Sequence, residues 1–453
     1  LLDVSPTSTN VLFQVLLMVV VPKRRVVITG LGLISPLGIG LEANWSALRE
    51  GRGGVDQLTS FVIDGLPSNA AGEVLDFHPK SLAIDKHRKA LQKNLKYMAR
   101  DIQLAVAAAE LAVVDGKLVE GQIEPDRIGI DLGAGMISTD LDELAPAINL
   151  ATRADGSFDF EVYGRDGIPE IEPLWMLKYL PNMLACHISI LNDCRGPSNT
   201  ITQGEAAANA AIGEAFRIIQ RGQADVMITG GADSKIHPLS FIRMKLNKVN
   251  CTWEGEPSGA CRPFDTHRCG VVPGEGAGIL VIEELEHAQR RGATIYGELL
   301  GFSSACDANP SNGIDPEGRG TELAVRGVLR DSGLTPEQLG HVNAHGWGTI
   351  DSDLAEARAY HRVFGRSVPV TGLKGYTGNT ASGCGAIELI ASLLGTQAGL
   401  IPATLNCDNP DPRCEIDVVH GDPRPTENPV FVNLNLNRYG QVAALAVRVG
   451  PVD

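Results

Sequence analysis

The chain has 453 residues, 43% of them hydrophobic and 51 of them glycine, enough for a sizeable core in two or three domains or two closely fused halves. Its formal charge of −15 excludes a general nucleic-acid partner, because no basic stripe is present to neutralise phosphates, and leaves room only for a small basic patch. The nine cysteines, Cys186, Cys194, Cys251, Cys261, Cys269, Cys306, Cys384, Cys407 and Cys414, contain no CxxC pair, which fits a reducing compartment and excludes a disulfide scaffold or a compact metal site.

Residues 1–22 stand apart from the rest. The apolar run from Val11 to Val21 is interrupted by Gln14, is too short for a membrane helix and has no basic residue before it. Stable membrane insertion and a signal peptide are therefore not expected, and cytoplasmic operation is the default. The VLFQ stretch reads as an added or disordered extension, with Met18 as a natural start.

From Arg24 the pattern becomes regular. RRVVITGLGLISPLG is a β-rich run that ends in glycine and proline. A helix follows over 99–116, with small residues that permit close packing, and then the buried-strand candidate RIGIDLGAG. GPSNTITQGEAAANAAIGEAF, 196–216, is a tight turn leading into a second small-residue helix. ADVMITGGAD is the strand after it, and AGILVIEELEHAQRRG supplies a further strand and helix. The pattern restarts at Ile295 and closes with the strands VFVNLNLN and VAALAVRVG. Near-continuous apolar strands separated by helices indicate sheets covered on both faces. Their recurrence predicts an internally duplicated α/β fold, with an N-terminal half over 23–293 and a C-terminal half over 294–453. GLGLISPLG lacks the spacing of a dinucleotide loop and is read as a structural turn, so no cofactor is inferred from it.

Glu205 opens the second small-residue helix. The flanks suggest an active-site elbow, yet the residue at its tip carries no thiol, hydroxyl or amine.

Five stretches, RRVVITGLGLISPLG, GPSNTITQGEAAANAAIGEA, CRPFDTHRCGVVPGEGAGILVIEELEHA, NAHGWGTIDSD and LKGYTGNTASGCGAIE, together resemble β-ketoacyl-acyl-carrier-protein synthases, the elongating condensing enzymes of fatty acid and polyketide assembly. The resemblance runs from about Arg24 to Val449. It implies the duplicated, thiolase-like, five-layered α-β-α-β-α fold and a homodimer or a heterodimer of related subunits. It also implies an acyl carrier protein that presents a phosphopantetheine arm, with no other cofactor and no metal.

In that family a cysteine takes the acyl chain as a thioester and two histidines assist decarboxylation of a malonyl thioester. Gap-free counting from the glycine-proline pair places the cysteine on Glu205. The first histidine falls on His345, the second on Asn379, and the bracing lysine and glutamate on Lys374 and Glu388. Of two threonines expected to touch the pantetheine arm, the first is Trp347 and only Thr349 remains. The family's glycine-phenylalanine gate falls on Arg438 and Tyr439.

A carboxylate at the acyl-accepting position would form a reactive mixed anhydride and, when ionised, repel the malonyl carboxylate. Pairing with an inward-turned Arg438 would neutralise it and compete with substrate. Cys194 and Cys384 lie near the motifs but off the helix start, and are expected to pack rather than react. Cys269 and His267 are expected to be turn residues and not ligands. Three functions follow from these replacements. The chain is a noncondensing partner of a cysteine-bearing synthase, comparable to the chain-length-factor subunits of polyketide systems. Or it is an atypical synthase, acyltransferase or malonyl-carrier-protein decarboxylase that uses His345, Lys374 and Asn379. Or it is a binding scaffold.

Overall fold

The computed structural model describes residues 23–451 apart from 63–64, 66–67, 83–86, 119–120 and 310–312. The N-terminal extension expected over 1–22 lies outside the described residues.

Ten principal strands form the framework: β1 (Val26–Ser35), β2 (Ile128–Ala134), β3 (Ser198–Ile201), β4 (Val226–Ser234), β5 (Glu275–Glu284), β6 (Gly297–Cys306), β7 (His341–Ala344), β8 (Pro369–Gly372), β9 (Val430–Leu436) and β10 (Gln441–Val449). In the first half the spatial order is β3-β2-β4-β5-β1, and in the second it is β8-β7-β9-β10-β6. Each half has the same polarity. β2 runs parallel to β3 and β4, β5 is antiparallel to β4 and β1, and the corresponding strands of the second half repeat this pattern. The shared order and polarity make the internal duplication explicit. The halves meet where Val26–Ile28 of β1 pairs antiparallel with Gly297–Leu299 of β6.

Six helices complete the layers: α1 (Arg100–Asp115), α2 (Met183–Asn192), α3 (Ala207–Gln220), α4 (Arg319–Ser332), α5 (Ile350–Phe364) and α6 (Cys384–Gln397), the counterpart of α3 in the second half. α3 and α6 each touch strands of both halves and form the middle layer. α1 and α2 cover the outer face of the first sheet; α4 covers that of the second, and α5 lies beside α4 with Ala357, Tyr360 and Phe364 in the same core as Val342 and Val370. The result is the five-layered α-β-α-β-α sandwich.

Side-chain size decides how tightly these layers close. β1 is buried along its whole length, as a strand covered on both faces must be. At Gly32 a Cβ would lie 1.9 Å from Ala108 O, so the approach of α1 to β1 requires glycine there. In the middle layer, AANAAIG at the start of α3 offers almost no side-chain bulk, which lets a helix fit between two sheets. Among the described residues no helix is long and apolar enough to cross a membrane.

Candidate functional site

The site lies where the two middle helices begin. A single 3₁₀ turn, Gly204–Ala206, leads into α3, and a second, Ala381–Gly383, leads into α6. The two turns occupy matching places in the duplicated halves. Each begins with a left-handed residue, Gly204 at φ 54° and Ala381 at φ 43°. Glycine accepts this conformation freely, whereas alanine holds it against a steric penalty. The turns touch directly, because Cys384 Sγ donates to Glu205 O over 3.4 Å.

Asn379 Nδ2 donates to Glu205 Oε1 over 3.0 Å. The amide is oriented by its other end, since Asn379 Oδ1 accepts from the Ala381 amide at 3.1 Å. The backbone of Asn379 is equally fixed: its N–H donates to Val272 O at 2.8 Å and its carbonyl accepts from Gly274 at 3.0 Å.

Behind this pair lies a buried charged knot. Lys374 Nζ donates to Glu388 Oε1 and to His345 O, both at 2.7 Å, and faces His345 Nδ1 at 3.1 Å. Asn435 Nδ2 donates to Glu388 Oε2 at 2.7 Å and approaches His345 Nδ1 at 3.3 Å. Two donors directed at Nδ1 make that nitrogen an acceptor, so the proton of the neutral ring sits on Nε2. Burial, and then the Lys374 charge, holds the His345 pKa well below its ordinary value. Burial alone would lower the pKa of Lys374, but Glu388 outweighs it and the ammonium is retained.

The His345 loop is strapped from below. Its amide and that of Gly346 donate to Glu356 at 2.7 and 2.9 Å, and Tyr360 Oη donates to the same carboxylate at 2.7 Å. Burial pushes the Glu356 pKa up to about 7. Thr349 caps α5, its hydroxyl oxygen accepting from the Ser352 amide at 3.4 Å.

Two cavities adjoin the site. The inner one, about 330 Å³, is lined by Glu205, Asn379, Lys235, Arg243 and Gln441 among others. The outer one, about 570 Å³, is lined by Lys248, Cys269, Gly270, Thr349 and Asp351 among others. Trp347 and Arg438 belong to both walls. Trp347 is 6% exposed, and its ring lies 6.0 Å from that of His345. His345, Lys374 and Glu388 line neither cavity.

The expected positions thus separate into a pair at the inner cavity (Glu205, Asn379), a knot behind it (His345, Lys374, Glu388), and a wall (Trp347, Arg438). Tyr439 lies exposed at the rim of the inner cavity, and Thr349 lies in the outer one. The inward Arg438–Glu205 pairing does not form. The Arg438 guanidinium sits 5.0 Å from the Tyr439 ring centroid, and Glu205 is engaged by Asn379 instead. Cys384 is buried against the Glu205 carbonyl, and Cys194 follows α2 with its thiol directed to Asn192 O at 3.8 Å. Burial drives both thiols upward in pKa, Cys194 to about 12. Neither lines the inner cavity.

Two contributors escaped the sequence reading. Lys235 lines the inner cavity, with Nζ donating to Asp233 Oδ1 at 2.7 Å. Burial opposes its charge, but Asp233, Asp101 and Glu205 prevail and raise its pKa. The signal was the DSK triplet at the end of a glycine-rich central strand. Asn435 is the other, and its signal was the alternation in VNLNLN, which sets Asn433, Asn435 and Asn437 on one face.

The sequence matches the model of the β-ketoacyl synthase N-terminal domain over residues 23–288 and that of the C-terminal domain over 296–408. The chain belongs to the β-ketoacyl synthase family. It is 36% identical over 405 residues to a 3-oxoacyl-(acyl-carrier-protein) synthase 2 of Synechocystis sp., covering 89% of this chain and 92% of that one. Among solved structures it resembles the ishigamide ketosynthase/chain length factor, with a TM-score of 0.81 at 31% identity, covering 95% of this chain and all of that one. It also resembles a structure described as a type II PKS acyl-carrier protein in complex with its ketosynthase bound to the hexaketide, with a TM-score of 0.80 at 25% identity over 94% of this chain and all of that one. Within this β-ketoacyl synthase scaffold, the helix start that carries Glu205 has no thiol lining its cavity.

Proposed function

We propose that this β-ketoacyl synthase-like chain serves fatty acid or polyketide biosynthesis as a noncondensing subunit, paired with a cysteine-bearing ketosynthase in the manner of a chain length factor. The observation that carries the reading is Glu205, a carboxylate held by Asn379 where acyl transfer needs a thiolate. A helix start favours a thiolate or a developing oxyanion. A carboxylate in the same place gives a mixed anhydride on acylation and repels a malonyl group. Trp347 and Arg438 add a wall across the route by which a pantetheine arm would enter.

A partner subunit is supported on the surface as well. β3 is the last strand of its sheet and leaves an open edge. Large apolar side chains at Leu150, Phe160, Ile168, Leu174, Met176 and Ile190 are exposed in the same part of the chain. An acyl carrier protein is the second partner we assign, and its phosphopantetheine arm the group that would meet the outer cavity. Nine free thiols accord with cytoplasmic operation.

Coexpression with cysteine-bearing ketosynthases of the same source tests this function. A stable one-to-one complex whose product length changes when inner-cavity residues of this chain are enlarged is the expected result. A homodimer that excludes every such ketosynthase contradicts it.

One observation favours a second reading, malonyl-carrier-protein decarboxylation. His345 Nε2 and Trp347 Nε1 are buried without hydrogen-bond partners among the described residues, leaving two unsatisfied N–H donors, one on the Trp347 ring that lines both cavities and one on the His345 ring behind them, toward which a thioester carbonyl or its enolate would have to reach. Carrier-dependent CO2 release that disappears in His345→Ala would establish it.

A further inference from the structure

Three thiols cluster away from Glu205. Cys251, Cys261 and Cys269 share a small core with Val55, Val272 and Trp253. Cys251 Sγ and Cys269 Sγ are 2.9 Å apart, so little motion separates them from bonding distance. The backbone imposes this approach. Cys251 N–H donates to Val271 O at 3.1 Å and Thr252 N–H to Cys269 O at 3.2 Å, so the two segments run side by side. Among the described residues no set of three or more His, Cys, Asp or Glu side chains is arranged to hold a metal ion.

The two sulfurs differ in access. Cys269 lines the outer cavity, whereas Cys251 is 4% exposed and lies behind it. A hydrogen bond from Cys251 holds the Cys269 pKa below the ordinary thiol value against the effect of burial, with the Arg262 charge assisting. The same contact, together with burial, raises that of Cys251. One reachable sulfur of thiolate character with a resolving thiol behind it is the arrangement that thiol–disulfide exchange requires.

We propose that Cys251 and Cys269 form a reversible redox pair, oxidised through the outer cavity by a small-molecule disulfide such as oxidised glutathione. The Cys269 thiolate attacks one sulfur of the reagent, forming a mixed disulfide and releasing one thiolate. Cys251 then loses its proton and attacks Cys269 Sγ, releasing the second thiolate. Two protein thiols are oxidised and one reagent disulfide is reduced to two thiols.

The bond would close the loop between two residues 18 positions apart. That loop carries Arg268, which donates to Asp411 at 2.7 Å, Thr349 O at 3.2 Å and Ile350 O at 3.1 Å. Gly270 N–H donates to Gly348 O at 3.0 Å, beside Trp347. Oxidation would therefore pin the floor of the outer cavity.

The test equilibrates the reduced full-length chain with a series of glutathione redox ratios, followed by alkylation and peptide mapping. The expected result is a cross-linked peptide joining 251 to 269, a mass loss of about 2 Da for the two hydrogens, and full reversal by dithiothreitol. Cys251→Ser should instead hold a stable glutathione adduct on Cys269. Should that variant fail to fold, the wild-type map still decides. A persistent adduct on Cys269 with Cys251 free, a cross-link to Cys261, or two thiols that stay alkylatable at full oxidation would each overturn the proposal.

Discussion

Asn379 donates its side-chain amide to the Glu205 carboxylate across 3.0 Å, joining the start of α3 to the segment that precedes α6. The two halves of the duplicated fold thus meet in a polar clasp. Neither partner offers an acyl chain a stable covalent attachment.

A single Glu205→Cys exchange is predicted to give a thiol without a working synthase. The second histidine position remains Asn379, and loss of one general acid–base group costs about 10²–10⁴ in rate. Condensation by Glu205→Cys with acyl- and malonyl-carrier proteins should stay near background, while Glu205→Cys with Asn379→His and Trp347→Thr should gain β-ketoacyl product. Intact mass reports both.

Trp347→Ala is predicted to merge the inner and outer cavities, since the indole belongs to both walls. Removing a buried tryptophan side chain costs about 3–5 kcal/mol of stability. In a Glu205→Cys background, iodoacetamide should label the new thiol faster once the indole is gone. Equal labelling rates would show that Trp347 does not separate the cavities.

Lys374→Ala leaves Glu388 with a buried, unpaired carboxylate. Both side chains are at most 1% exposed and 2.7 Å apart. The predicted loss is about 3–5 kcal/mol in chemical denaturation, and Lys374→Ala with Glu388→Ala should lose less than the sum of the single changes.

His341 supplies a pH dependence. It is fully buried, stacks on Phe431 at 5.1 Å, and burial depresses its pKa to about 3. The unfolded chain protonates this histidine near pH ~6.5 while the folded chain does not, so the unfolded state binds more protons between those values. Stability is therefore intact above pH ~6.5 and falls as the pH drops toward 3, by up to about 1.4 kcal/mol per pH unit. His341→Phe should flatten that part of the profile, as read by urea midpoints from pH 8 to pH 4.

Much of this was legible in the sequence because it depended on local pattern. Apolar runs such as VVITGLGLIS and small-residue stretches such as AANAAIG announce strands covered on both faces and helices that fit between sheets. The recurrence of that pattern announced the duplication. The Glu205, His345 and Asn379 positions were assigned through the family resemblance, by counting along its motifs. The partners of those residues did not, because long-range contacts leave no mark on spacing. The Glu205–Asn379 bond spans 174 positions and the Asn435–Glu388 bond 47. Lys235 was hidden for the same reason, since only the fold carries it to the Glu205 cavity. Arg438 shows the converse: its charge invited pairing with Glu205, yet its guanidinium lies by Tyr439.

In the proposed function Glu205 takes the place of condensation chemistry. Time-resolved intact-mass analysis of this chain mixed with acyl- and malonyl-carrier proteins, with CO2 release followed in parallel, tests it most directly. A noncondensing subunit should show no acyl adduct on the chain, no condensation product and no CO2 above the carrier-protein control. An acyl mass localised to Glu205 or to any cysteine, followed by a β-ketoacyl product, would contradict it.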